Sequence, residues 1–141
     1  MSEFSGLVQA YYQNPVNNRK IDNATISRHE GNSLCGDDLT VYLVIENDTI
    51  TDRSYDGMPS MVTQAAASFF SELIIGKTLD EVLQMNEQTM IDQEFIVSPR
   101  RRRASVIAIL ATRNAIHDYR KDGIEEKFED LLVEELADRL S

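Results

Sequence analysis

The chain has 141 residues, 42% of them apolar and 27% charged, the make-up of one globular domain rather than of a disordered or two-domain chain. Fourteen Lys and Arg against twenty-four Asp and Glu leave a net charge of −10, which argues against nucleic acid or an anionic membrane as partner, since both are held by positive surface. No apolar run is long enough to span a bilayer, no apolar signal core opens the chain, and a single cysteine, Cys35, excludes an internal disulfide; the cytoplasm is the expected location.

Phe4, Leu7, Val8, Tyr11 and Tyr12 recur at helical spacing until Asn14-Pro15 stops them. A polar stretch leads to a candidate strand over 24–30. Leu39, Val41, Leu43 and Ile45 then alternate with Thr40, Tyr42 and Val44, turn residues follow at Asn47-Asp48, and an extended pattern resumes over Thr49–Tyr55. That is an antiparallel hairpin beside a third strand. From Met61 to Leu73 the apolar residues return to helical spacing, and Gly76 is placed to end the helix. Thr78 and Glu81 stand three apart as a capping box for a short helix through about Met85. Pro99 opens the next unit, and Ala104–Tyr119, apolar nearly all round at its start, predicts a central buried helix. Ile124, Phe128, Leu131, Leu132, Leu136 and Leu140 form a stripe behind Asp122 that predicts an amphipathic C-terminal helix over 122–141. With no repeat or linker, the pattern predicts a single domain over 1–141. Its class is α+β: a three-stranded antiparallel sheet packed against several helices.

Three chemical motifs can be weighed on spacing. Gly76-Lys77-Thr78 resembles the end of a phosphate-binding loop, yet Ser71 stands where the earlier glycine is required and a helix precedes it. No Gly-x-Ser-x-Gly elbow supplies a serine nucleophile, and the two histidines, His29 and His117, lack a matching constellation. Arg100, Arg101, Arg102 and Arg103 are four adjacent cations in an acidic chain, placed where a helix N-terminus is already positive. They call for acids of this same chain, or for an acidic partner or anion.

The segment Gly31-Asn32-Ser33-Leu34-Cys35-Gly36-Asp37 joins two strands through glycines and sets a thiol and a carboxylate two residues apart. Asn14-Pro15 lies before it. Behind it come Ile50-Thr51-Asp52, Tyr55-Asp56-Gly57, the small residues Ala65 to Ser68, and Gly76-Lys77-Thr78-Leu79-Asp80-Glu81. In this order and spacing, from about Tyr11 to Tyr119, the sequence resembles the iron–sulfur cluster assembly scaffolds of the IscU, SufU and NifU N-terminal family. The resemblance implies three cysteines and an aspartate at one end of the fold, holding zinc, iron or a nascent iron–sulfur cluster and taking sulfur from a cysteine desulfurase. Cys35 and Asp37 match the first cysteine and the aspartate. Ser60 is nearest the second cysteine's register, and no thiol stands around Ala104–Ala108, where the third is implied. Thiolates select zinc and iron–sulfur clusters, and neither a hydroxyl nor a methyl replaces them. One chain therefore offers an incomplete site of Cys35 and Asp37; a homodimer would bring two of each. The family fold also implies that the arginines lie near Cys35, where positive charge would favour a thiolate able to accept sulfur. The functional expectation is a divergent assembly scaffold without enzymatic turnover. The alternative is a metal-free adaptor of the same fold that binds an acidic partner or anion through Arg100–Arg103.

Overall fold

A computed structural model describes residues 5–32 and 37–133 of the chain. In chain order these form α1 (Gly6–Gln13), β1 (Ile26–Asn32), β2 (Asp37–Glu46), β3 (Thr49–Gly57), α2 (Met61–Ile74), α3 (Leu79–Val82), α4 (Glu87–Asp92) and α5 (Arg102–Arg120), with 3-10 turns at Pro99–Arg101 and Phe128–Asp130. The strands pair antiparallel in the order β1-β2-β3, so the α+β class and the three-stranded sheet expected from the sequence are both present.

The sheet follows from its side-chain alternation. Leu39, Val41 and Leu43 are fully buried and Ile45 nearly so, while Thr40, Tyr42 and Val44 point to the open face. Asn47 and Asp48 make the two-residue hairpin turn with φ of 52° and 61°, the left-handed backbone that this turn requires and that Asn and Asp tolerate. The outer edge of β3 is covered: Tyr55 N–H donates to the Asn17 carbonyl at 3.0 Å, and Ile50 N–H to that of Lys77 at 2.9 Å.

Helix α5 lies across the buried face of the sheet and also packs on α2. Ala104, Ala108, Ala111 and Ala115 let it approach closely, and Val106, Ile109 and Ile116 fill the space between; Val106, Ile109 and Ile116 are wholly buried. Each such side chain contributes about 1.5–3 kcal/mol. The Gly76-Lys77-Thr78 triplet is a helix end followed by a cap. Gly76 has φ of 86°, Glu81 N–H donates to the Thr78 hydroxyl at 3.2 Å, and Thr78 N–H donates to the Glu81 carboxylate at 3.0 Å.

Two elements differ from the expectation. Helix α4 carries no amphipathic signal; it is started by Asn86, whose side chain accepts from Gln88 N–H at 2.9 Å. More consequentially, the amphipathic helix expected over 122–141 is absent from its described part. Residues 122–127 have no regular secondary structure and lead into one 3-10 turn, Phe128–Asp130. Residues 134–141 lie outside the described residues. The cause is α5, which supplies the bonds that helix formation would otherwise provide. Asn114 accepts from Glu126 N–H at 2.8 Å and donates back to the Glu126 carbonyl at 3.2 Å. Arg113 Nε donates to the Glu126 carboxylate at 2.9 Å, and His117 meets Asp122 and Glu126 through its two ring nitrogens, both at 2.7 Å. Asp122 caps only a local turn, accepting from Ile124 N–H at 3.0 Å. The result is a strap, residues 122–133, that runs back along α5 and buries Leu131.

Candidate functional site

The end of β1 and the start of β2 meet at the Asn32–Asp37 pair, on either side of the loop that carries Cys35. Cys35 itself lies outside the described residues. Two glycines set the backbone here. Gly31 has φ of 81°, and a Cβ on it would stand 2.0 Å from the Asp37 carbonyl oxygen and 3.2 Å from Ile107 of α5. Gly57 has φ of 124°, and its Cβ would stand 2.2 Å from the Asp38 carbonyl oxygen. Only glycine permits either approach. Together they bring the start of β2 against α5 on one side and against the entry to α2 on the other.

At that entry, Asp37 Oδ1 accepts from three donors: the Ser60 hydroxyl at 2.7 Å, the Thr63 hydroxyl at 2.6 Å and Ser60 N–H at 3.3 Å. Ser60 occupies the N-cap position of α2, yet its own side chain makes no capping bond. The capping acceptor comes from β2 instead. Thr63 is fully buried, and Met58, on the same turn, is 76% exposed.

Within the arginine run, Arg102 and Arg103 turn to different partners. Arg102 donates through Nε to the Glu87 carboxylate at 2.7 Å and through Nη2 to the Val133 carbonyl at 3.0 Å. Glu87 is only 3% exposed and also accepts from Val133 N–H at 2.8 Å. The hydrogen bond to Glu87 raises the Arg102 pKa above its ordinary value. Arg103 lies over the Phe128 ring at 5.3 Å, and Arg100 and Arg101 also have partners. Arg102 and Arg103 thus clasp α4 and the strap, as expected for cations answered by this chain's own groups. His29 reaches Asp38 on the open face of the sheet.

Asp37 is in contact with Ser60, the residue nearest the second cysteine's register. The hydrogen bonds of Asp37 and those of Arg102 run to different partners. Sequence reasoning missed Thr63 and Glu87. Thr63 had a signal, a hydroxyl three residues after the N-cap of α2. Glu87 had none, because it looks like any acid in a polar stretch.

Among the described residues no group of three His, Cys, Asp or Glu side chains could hold a metal. With one thiol in the chain, a hydroxyl at Ser60 and no thiol over 104–108, a single chain does not supply the ligands of a four-coordinate zinc or cluster site. No helix among them is long and apolar enough to cross a membrane.

Residues 3–126 match the family described as NifU-like N terminal domain. The chain is 29% identical to the iron–sulfur cluster assembly scaffold protein IscU 1 of Archaeoglobus fulgidus, over 97% of its own length and 90% of the relative's. It is 26% identical to the zinc-dependent sulfurtransferase SufU of Bacillus subtilis over 57% and 54%. Among solved structures it resembles a putative iron–sulfur cluster assembly scaffold protein, SufU of Fervidobacterium islandicum, with a TM-score of 0.66 at 23% identity, covering 79% of this chain and 95% of that one. It also resembles the N-terminal part of a NifU-like protein of Brucella abortus, with a TM-score of 0.70 at 16% identity over 84% and 95%.

Proposed function

The chain belongs to the NifU-like N-terminal domain family, and from that premise we propose that it serves iron–sulfur cluster assembly in the cytoplasm as a scaffold-type protein that docks other assembly proteins and receives sulfur at Cys35. The observation that carries this reading is the family match over residues 3–126, which spans the Gly31–Asp37 loop holding the chain's one thiol. The partner class is a cysteine desulfurase bearing a persulfide. The Cys35 thiolate attacks the outer sulfur of that persulfide, a new sulfur–sulfur bond forms on Cys35, and the desulfurase cysteine leaves as a thiolate. The exchange needs no oxidant. Each chain then carries one sulfur and turns nothing over by itself, which makes it an acceptor rather than an enzyme. Iron and the growing cluster are cargo in this reading, completed with ligands from outside a single chain.

The test is mass spectrometry after incubation with a cysteine desulfurase and free cysteine. The wild-type chain is expected to gain the mass of one sulfur, lost again on reduction, and Cys35→Ala to gain none. A wild-type chain that gains no sulfur and forms no complex with the desulfurase on size exclusion would overturn the reading.

A further inference from the structure

We infer that Asp37 works through Oδ1 as the N-terminal cap of α2, so that a single chain holds its assembly end together by hydrogen bonds where a metal centre would otherwise do so. The inference deepens the assembly reading and rests on it only for which positions are compared.

An α-helix begins with backbone N–H groups that have no partner within the helix, and the N-cap side chain normally accepts from one of them. In α2 that side chain is Ser60, and it makes no such bond. It donates to Asp37 instead, and so does Thr63. The two hydroxyl oxygens also stand 3.2 Å apart, and the shorter contact of each is to the same carboxylate oxygen. The carboxylate also accepts from Ser60 N–H, so it satisfies a helix-start donor and neutralises part of the positive end of the helix dipole. Any ligand taking Asp37 Oδ1 itself would compete with these three donors and leave the Thr63 hydroxyl, which is fully buried, with only the Ser60 hydroxyl at 3.2 Å beside it. Such a loss is costly. A thiol at position 60 would be a weak donor and would release the carboxylate; serine holds it. Asp37 and Ser60 are 23 residues apart in the chain, so the bond also ties the first residue of β2 to the first turn of α2.

On the far side of the same corner, Ile107, the residue against which Gly31 closes, lies within 104–108, where the third cysteine is implied and no thiol stands.

The test compares thermal melting of the full chain with and without a chelator or equimolar zinc, together with zinc content by chromophoric chelator competition. The wild-type midpoint is expected to be unmoved by either addition. Asp37→Ala is expected to lower it by about 3–8 °C, the shift corresponding to loss of a cap in a domain of this size. Thr63→Val should lower it by a smaller amount, and Asp37→Asn, which keeps an acceptor oxygen, should retain most of it.

Zinc bound near one equivalent to the wild type with a chelator-sensitive midpoint would overturn the inference. So would an unchanged midpoint in Asp37→Ala. Sulfur transfer to Cys35 is read separately by mass, so its failure would count against the assembly reading alone.

Discussion

Arg53 has no exposed surface; it lies between β3, α2 and α5, donating to the Ala67 carbonyl at 2.8 Å and the Thr112 hydroxyl at 3.1 Å, with the Phe70 ring 5.5 Å from its guanidinium carbon. These partners are all uncharged, and burial pushes its pKa down to about 9. Removing a buried charge while keeping its volume is commonly neutral or stabilising, whereas leaving a void is not. Arg53→Met is therefore expected to melt at or above the wild-type temperature, and Arg53→Ala to lose roughly 2–4 kcal/mol in urea unfolding. A methionine variant less stable than the alanine variant would refute this. In the sequence Arg53 reads as a surface residue of an alternating strand. The alternation fails at the irregularity where Val44 pairs with Asp52 but Ile45 with Ile50, which turns Arg53 and Tyr55 to the same buried face as Leu43 and Val41. The candidate site was legible to a similar degree. The glycines, Cys35, Asp37 and the register of Ser60 can be read from motif order, but the direction of the Ser60 and Thr63 protons depends on a distance across 23 residues.

The strap shows what an apolar stripe encodes at the scale of an element. Spacing of Ile124, Phe128 and Leu131 marks which residues face the core, and helix is only one backbone that satisfies it. Leu131 is buried as the stripe implied, while Ile124 is 53% exposed, because Arg113, Asn114 and His117 hold the intervening peptide extended. Hydrogen bonds keep two strap carboxyls ionised to lower pH than usual: Asp122 accepts from Ile124 N–H and meets His117, and Glu125 accepts from Arg28. Folded-state values that are depressed mean a contribution present above the ordinary carboxylate range, near pH 4, and lost as pH falls through the lower folded values. Acidification from pH 5 to 3 is expected to release the strap before the core. NMR amide signals of residues 122–127 should change while that of Ile109 holds. Glu126→Gln should bring the same release to higher pH. Simultaneous loss of all amide signals would show that the strap has no independent transition.

At the scale of the molecule, α1, the sheet, α2, α3, α4, α5 and the strap all send side chains into one cluster, among them Val8, Val41, Phe70, Leu79, Met90, Ile109 and Leu131. With no second core among the described residues, the chain should melt as one cooperative unit. Its calorimetric enthalpy, on the order of 100 kcal/mol, should agree with the van't Hoff value. Two resolved transitions would divide it into separate units. The sheet order, the hairpin and the central helix were legible because period-two and period-3.6 burial are local. The crossing of β1, α5 and the strap was not, since it depends on buried amide and ionic bonds between distant residues.

The order β1-β2-β3 leaves β1 as the terminal strand, and among the described residues no backbone segment pairs with its outer side. A bare strand flank invites a stranger's chain to zip alongside it. Here that flank carries Arg28, His29 and Glu30 in succession, Arg28 pairing with Glu30 and Asp118 and His29 reaching Asp38. The sheet is shut to foreign strands by pairing along β3 and by charge along β1. Replacing those three residues together by uncharged, strand-forming ones is expected to promote edge-to-edge self-association.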